Sequence, residues 1–331
     1  MLLRRKVIVQ LQGGLADQLK RYYLGKYLAN KMQALLILNT SALTNYHLGE
    51  KTSLSYLLDH EIFSSAPIKR NALRLRVIGS LSSKLSSTRK LKKFVLKIVD
   101  LFFGHLSDVD SLSYETLPFS ALIRMTKLFR LRYTVIISGY FPSAEYFLSL
   151  EQSERKIENL EEKINLALLT LAPPPPREVL HKLSALYTFG MVHIRLGDTY
   201  TTYTSSGILR EEYYLAALKV AEIHLGHVVF FGMSDDIGRA KQLYPNISVI
   251  WIDESEYWEA HQVLLLLASS KVIVIGNSGL SSFAGLLAPP TTIKVAPLID
   301  DLQNWRFNLV PKLKEEWFWV ETELWYRDQG N

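Results

Sequence analysis

The sequence contains no cysteine. Disulfides and thiolate metal sites are therefore excluded, and the chain is compatible with a reducing compartment. No run approaches the roughly 20 apolar residues that a membrane-spanning helix needs. The longest candidate, Val263 to Ile275, is interrupted by Ser269, Ser270 and Lys271. The opening residues, Met1-Leu2-Leu3-Arg4-Arg5-Lys6-Val7, hold no apolar core of a secretory signal, so none is expected and a cytoplasmic location is. GxGxxG and the P-loop pattern are absent, which argues against standard dinucleotide and P-loop sites. HExxH and GxSxG are absent too. Histidines are scattered, so no metal site is expected.

What is present suits a large globular chain. The 331 residues favour two domains of ordinary size. With 48% hydrophobic and 21% charged residues, a sizeable core is available and wholesale disorder is excluded. The net charge of +6 suits anionic ligands or membrane surfaces and is too mild to argue for nucleic acid.

Short apolar strands alternate with helical spacing along the chain. Lys6 to Leu11 reads as a strand, Gly13-Gly14 as a turn, Leu15 to Met32 as a helix and Ala34 to Leu38 as the next strand: the opening of a βαβ unit. The diglycine can aim backbone N–H groups at an anion or a close-packed sugar, or be a tight turn that binds nothing. Thr40 to Arg132 is helix-leaning. Lys69 to Lys97 holds ten Lys/Arg and no acid. Leu91, Phe94, Val95, Ile98 and Phe102 form the apolar stripe of a basic amphipathic helix, which either lies on anionic lipid or packs on its own domain. Val135 to Ile137 is a strand and Ala144 to Ala167 a charged helix. Four prolines, Pro173 to Pro176, mark a domain boundary, giving domains of 1–172 and 177–331.

Beyond it, a helix over 177–187 leads into the central stretch, Met191-Val192-His193-Ile194-Arg195-Leu196-Gly197-Asp198. Further helices are expected over 210–223, 237–243, 259–268 and 281–287. Strands are expected over 228–231, 248–252, 272–275 and 293–295, the last clear one. Strands apolar on both faces, alternating with helices, indicate parallel sheets covered by helices. Two such α/β domains facing each other across a cleft are expected.

Three strand ends carry polar clusters: His193/Arg195/Asp198, Ser234/Asp235/Asp236 and Asn277/Ser278/Ser281. A parallel sheet brings such ends to one edge, where ligands bind. Arg195 supplies a planar cation for phosphate oxygens. Asp198 can hold Arg195 or His193, or accept from a sugar hydroxyl. Asn277, Ser278 and Ser281 open a helix that can hold a phosphate. Asp235 and Asp236 can take ribose or base edges. The inferred ligand is a nucleoside diphosphate carrying a sugar. The plain alternatives are a strand end closed by an Arg–Asp pair and unrelated helix caps.

The chain as a whole resembles the bacterial α-1,2-fucosyltransferases of glycosyltransferase family 11. The family's opening GGLGNQMFQYA resembles Gly13-Gly14-Leu15-Ala16-Asp17-Gln18-Leu19-Lys20-Arg21-Tyr22-Tyr23. Its HxRxGDY resembles His193 to Thr199, and its YYxxA helix resembles Tyr213-Tyr214-Leu215-Ala216-Ala217. FSDD resembles Met233 to Asp236, and NSTFSWWGA resembles Asn277 to Gly285. GYFQ resembles Gly139-Tyr140-Phe141-Pro142. The departures are Asp17 for Asn, Thr199 for Tyr, Ser282-Phe283 for the Trp pair, and Pro142 for Gln.

The resemblance implies a GT-B-like fold of two Rossmann-like domains, with GDP-fucose bound mainly by the second. It implies inverting, metal-independent transfer of L-fucose to a glycan hydroxyl, the 2-hydroxyl of galactose, in O-antigen or capsule synthesis. Gly13, Gly14 and Gln18 would form the acceptor-side loop. Arg195 would neutralise the leaving diphosphate, with His193, Ser234, Asp235, Asp236, Asn277, Ser278 and Ser281 holding the donor. Asp17 or Asp198 would take the acceptor proton. A lipid-diphosphate-linked acceptor would suit a basic helix at the inner face of the plasma membrane. Two alternatives stay open: another nucleotide-sugar donor on the same fold, and a non-catalytic nucleotide-sugar-binding protein.

Overall fold

The computed structural model describes residues 5–43, 48–59, 61–66, 106–109, 134–137, 145–150, 157–176, 179, 189–196, 208–299, 316–322 and 324–325. Asp198 and Thr199, the Gly139–Pro142 element, the Leu91–Phe102 stripe and all but one residue of the 177–187 helix lie outside the described residues. The chain divides into two compact units, one of Met1–Lys51 and Asp59–Glu151, the other of Thr52–Leu58 and Gln152–Asn331. Among the described residues no helix is long and apolar enough to cross a membrane.

The first unit contains β1 (Lys6–Gln10), α1 (Leu15–Met32), β2 (Leu35–Asn39), β3 (Phe63–Ser64), β4 (Leu106–Val109), β5 (Thr134–Ile137) and the one-turn α3 (Glu145–Leu148). Between β2 and β3 runs α2 (Leu48–Leu57), whose residues from Thr52 onward belong to the second unit. The five strands are all parallel, in the order β3-β2-β1-β5-β4. β1 is flanked on both sides, so Val7 and Val9 are fully buried. A side chain at Gly25 of α1 would run into Val9, so this glycine lets the helix lie close on the strand.

The second unit follows with α4 (Leu160–Leu169), β6 (Phe189–Ile194), β7 (Ile208–Leu209), α5 (Glu211–Leu225), β8 (Val229–Ser234), α6 (Ile237–Leu243) and β9 (Ile250–Trp251). A 3₁₀ turn (Asp253–Tyr257), α7 (Ala260–Ser269), β10 (Val272–Val274), α8 (Gly279–Leu287), β11 (Ile293–Leu298), β12 (Phe318–Glu321) and β13 (Leu324–Trp325) complete it. Its main sheet has the order β12-β11-β10-β6-β8-β9, again wholly parallel. Numbered within this sheet, the order is 3-2-1-4-5-6, that of the doubly wound nucleotide-binding fold, with its switch point between β6 and β10. Every residue of β6 is buried, as a central parallel strand requires. β13 pairs with β7 as a separate antiparallel ribbon.

Two parallel-sheet α/β units are therefore what the alternation of strands and helices predicts. The local expectations differ in three places. Within the helix-leaning Thr40–Arg132, β3 and β4 are strands of two and four residues, too short for a period to show. The single helix expected over Ala144–Ala167 is interrupted: Asn159 adopts a left-handed conformation (φ 53°), and α4 begins after it. Asparagine tolerates that conformation better than most residues. Finally, Ile293–Val295 is not the last strand; β11 runs on to Leu298, and β12 and β13 follow.

Candidate functional site

The second unit's carboxyl edge is built by three adjacent strands. β6 and β8 run in register, His193 beside Met233 and Ile194 beside Ser234. β10 pairs on the other side, Val274 beside Val192. Past β10, Gly276 lies so close to β6 that a side chain there would run into the His193 carbonyl oxygen and come to 3.6 Å from Nδ1. The glycine is what allows the turn to cross the end of β6 at the switch point.

Arg195 follows β6 and leaves its side chain 35% exposed. Its Nη1 lies 2.7 Å from Asp235 Oδ2. The other oxygen of the same carboxylate, Oδ1, accepts from the Leu196 backbone N–H at 2.8 Å. Asp235 thus grips both the side chain and the backbone of the loop that leaves β6. Asp235, one of the two carboxylates expected to take ribose or base edges, holds Arg195.

His193 is 5% exposed. Burial pulls its pKa down to about 4; the Asp235 charge raises it and the Arg195 charge lowers it. The imidazole is neutral near neutrality, and its Nδ1 is buried with no hydrogen-bond partner among the described residues. A buried polar atom without a partner is uncommon and carries a desolvation cost. It suits a hydrogen bond to a bound molecule, not a second positive charge for phosphate.

The other two clusters combine capping with site building. Ser234 Oγ accepts from the Asp236 N–H at 3.1 Å. Asp236 caps α6 by accepting from the Arg239 N–H at 3.0 Å. Ser278 caps α8 by accepting from the Leu280 N–H at 3.2 Å. Ser281 is fully buried, its hydroxyl directed to the Gly276 and Ser278 carbonyls at 3.4 and 3.3 Å. Asn277 is 8% exposed in the same turn. These residues set the geometry of the turn that opens α8 at the strand edge.

In the first unit, the diglycine turn follows β1, where the sheet order also reverses. Gly13 has φ 70°, a conformation glycine adopts without strain, and Gly14 caps α1. The Gln18 side chain lies beneath the turn: Nε2 donates to the Gly13 carbonyl at 2.8 Å, and Oε1 is buried with no partner among the described residues. Asp17 is paired with Lys20 at 3.1 Å, with side-chain exposures of 34% and 7%. Arg21 Nη1 donates to the Gln12 and Asp17 carbonyls. Lys20 and Arg21 are thus buried cations with partners around the turn.

The structure brings His193, Arg195 and Asp235 together and places Gly276 against His193. It places Ser278 and Ser281 in the adjoining turn. The clamping role of Asp235 and the close approach of Gly276 are not readable from residue types alone. The only sequence signal for the glycine is its position directly after an apolar strand.

No protein-family model matches the chain. No curated protein matches it. Solved structures do resemble it. ADP-heptose LPS heptosyltransferase II from E. coli is similar at 14% identity and a TM-score of 0.44, over 95% of this chain and 90% of that one. Fucosyltransferase NodZ from Bradyrhizobium is similar at 15% and 0.44, over 86% and 94%. A glycosyl transferase family 9 protein from Veillonella parvula is similar at 11% and 0.47, over 99% and 90%.

Proposed function

We propose that the protein is an inverting glycosyltransferase that moves L-fucose from GDP-fucose to a hydroxyl of a glycan acceptor, the 2-hydroxyl of galactose. The observation that carries this reading is the switch-point arrangement. Arg195, held by Asp235, stands beside a neutral His193 whose Nδ1 has no hydrogen-bond partner among the described residues, and the Gly276–Ser278 turn crosses the same strand end. A fixed cation, a helix opening and a buried neutral hydrogen-bonding group are a suitable set for a diphosphate joined to a sugar and a nucleoside. The order of the motifs that resemble family 11 supports the fucose donor.

In this mechanism Arg195 neutralises the charge that develops on the leaving diphosphate, commonly the largest electrostatic contribution. The transition state is oxocarbenium-like. The acceptor hydroxyl attacks with inversion and loses its proton to a carboxylate, Asp17 or Asp198 being the candidates. The acceptor is part of a surface polysaccharide, presented on a lipid diphosphate, and the basic segment Leu91–Phe102 contacts the anionic membrane that holds it.

The test is turnover of GDP-fucose with a galactose-terminated acceptor in excess EDTA, following GDP release and the product's anomeric configuration. GDP release with an inverted α-1,2-linked product is expected. Release from another nucleotide sugar alone would move the donor assignment. No turnover of any donor would overturn the enzymatic reading.

A further inference from the structure

Tyr213 and Tyr214 open the α5 motif, and the mechanism above gives them no part. Tyr213 lies in the first turn of α5 and is 1% exposed. Its hydroxyl donates to the Ile275 carbonyl at 2.7 Å and also lies 3.1 Å from the Val295 carbonyl. Ile275 is the first residue past β10, and its N–H donates to Val295 at 2.9 Å. The phenol therefore ties α5 to the end of β10 and to the middle of the neighbouring β11. Burial raises its pKa well above the ordinary tyrosine value, so it stays protonated and donates.

The Ile275 carbonyl belongs to the same planar peptide as the Gly276 N–H. Fixing the carbonyl fixes that plane, at the residue where the chain crosses the end of β6. The next bonds follow from it. The Gly276 carbonyl accepts from the Ser278 N–H at 2.7 Å and from Ser281 Oγ at 3.4 Å, and Ser278 caps α8. We infer that Tyr213 is a positioning residue: its hydroxyl sets the Ile275–Gly276 peptide and, through it, the Gly276–Ser278 turn that receives the donor diphosphate. This rests on the nucleotide-sugar reading of the site.

Tyr213→Phe removes the hydroxyl and keeps the ring, which lies edge-on to Tyr214 at 5.0 Å. Tyr244→Phe is the matched control. The Tyr244 hydroxyl also donates to a buried carbonyl, that of Leu209 at 2.8 Å, but it follows the far end of α6. Amide hydrogen exchange over Ile275–Phe283 and calorimetric titration with GDP are measured on both variants and the wild type. Tyr213→Phe should speed exchange across this segment and weaken GDP binding roughly tenfold, the scale of one hydrogen bond. Tyr244→Phe should lose comparable stability and change neither. Equal exchange in the two variants would overturn the brace. Faster exchange with unchanged GDP affinity would overturn the positioning role. If the wild type gives no GDP signal either, the donor reading fails and the positioning role fails with it.

Discussion

Asp235 holds Arg195 at 2.7 Å with one carboxylate oxygen and takes the Leu196 N–H at 2.8 Å with the other. Both partners are partly exposed, and such pairs contribute about 0–1 kcal/mol to stability. The clamp therefore matters mainly for where the guanidinium points. Asp235→Ala should weaken GDP binding about tenfold with little change in Tm. Arg195→Ala should weaken it by roughly tenfold to a hundredfold, the range of a charge-assisted hydrogen bond. The double variant should bind no worse than Arg195→Ala, because Asp235 acts through Arg195. Additive losses would assign Asp235 a direct contact with the ligand.

Gly276→Ala places a methyl against the His193 carbonyl. Overpacking a well-packed position costs on the order of 1–3 kcal/mol. The variant should melt several degrees lower and lose GDP binding, because the turn must move away from β6. Unchanged melting and binding would show that the crossing is looser than the structure has it.

Asp17→Asn tests the base and its ion pair together. A positioned base contributes at least about a hundredfold. A loss of kcat of that size with unchanged GDP affinity is expected if Asp17 takes the acceptor proton. A loss under roughly tenfold would remove it from that role and leave it as the partner of the buried Lys20. The ammonium then loses the Asp17 carboxylate, so Tm should fall in either case.

Acid should destabilise the fold through two buried histidines. His193 and His261 have native pKa values pulled down to about 4 by burial, against 6.5 for the free side chain. The unfolded chain binds protons that the native state does not, so their contribution is full above pH 6.5 and is lost as pH falls towards 4. The slope is on the order of 1 kcal/mol per pH unit for each. His261 sits between Tyr56, ring centroids 4.4 Å apart, and Ser53 Oγ at 3.1 Å from Nδ1. Unfolding of the wild type and His261→Gln, followed from about pH 7 down to pH 5, should show a shallower acid loss in the variant. Parallel slopes would place the acid-sensitive group elsewhere.

Much of the fold was legible because its strands are central and parallel. Runs such as Val7-Ile8-Val9 and Val272-Ile273-Val274 are apolar on both faces, and α1 has the limits its spacing gives. Short or peripheral elements were not. β3 is two residues long, and Asn159 breaks a helical pattern through a backbone conformation that residue types do not announce. In the site, the strand-end clusters were visible as polar residues after apolar runs. Their division of labour was not, since an aspartate that clamps an arginine and one that caps a helix look alike in sequence. Asp235 and Asp236 are adjacent and do these two different things.

The central claim, that the second unit's strand edge binds the diphosphate of a GDP-sugar, is tested most directly by thermal stabilisation. GDP, UDP, dTDP and CDP are compared at matched concentration without added metal. A ligand at about 100 times its Kd stabilises by roughly 2.7 kcal/mol, a shift of a few degrees in a chain of this size. GDP should raise Tm in the wild type and do so much less in Arg195→Ala. A shift with none of the four, or one that Arg195→Ala leaves unchanged, would contradict it.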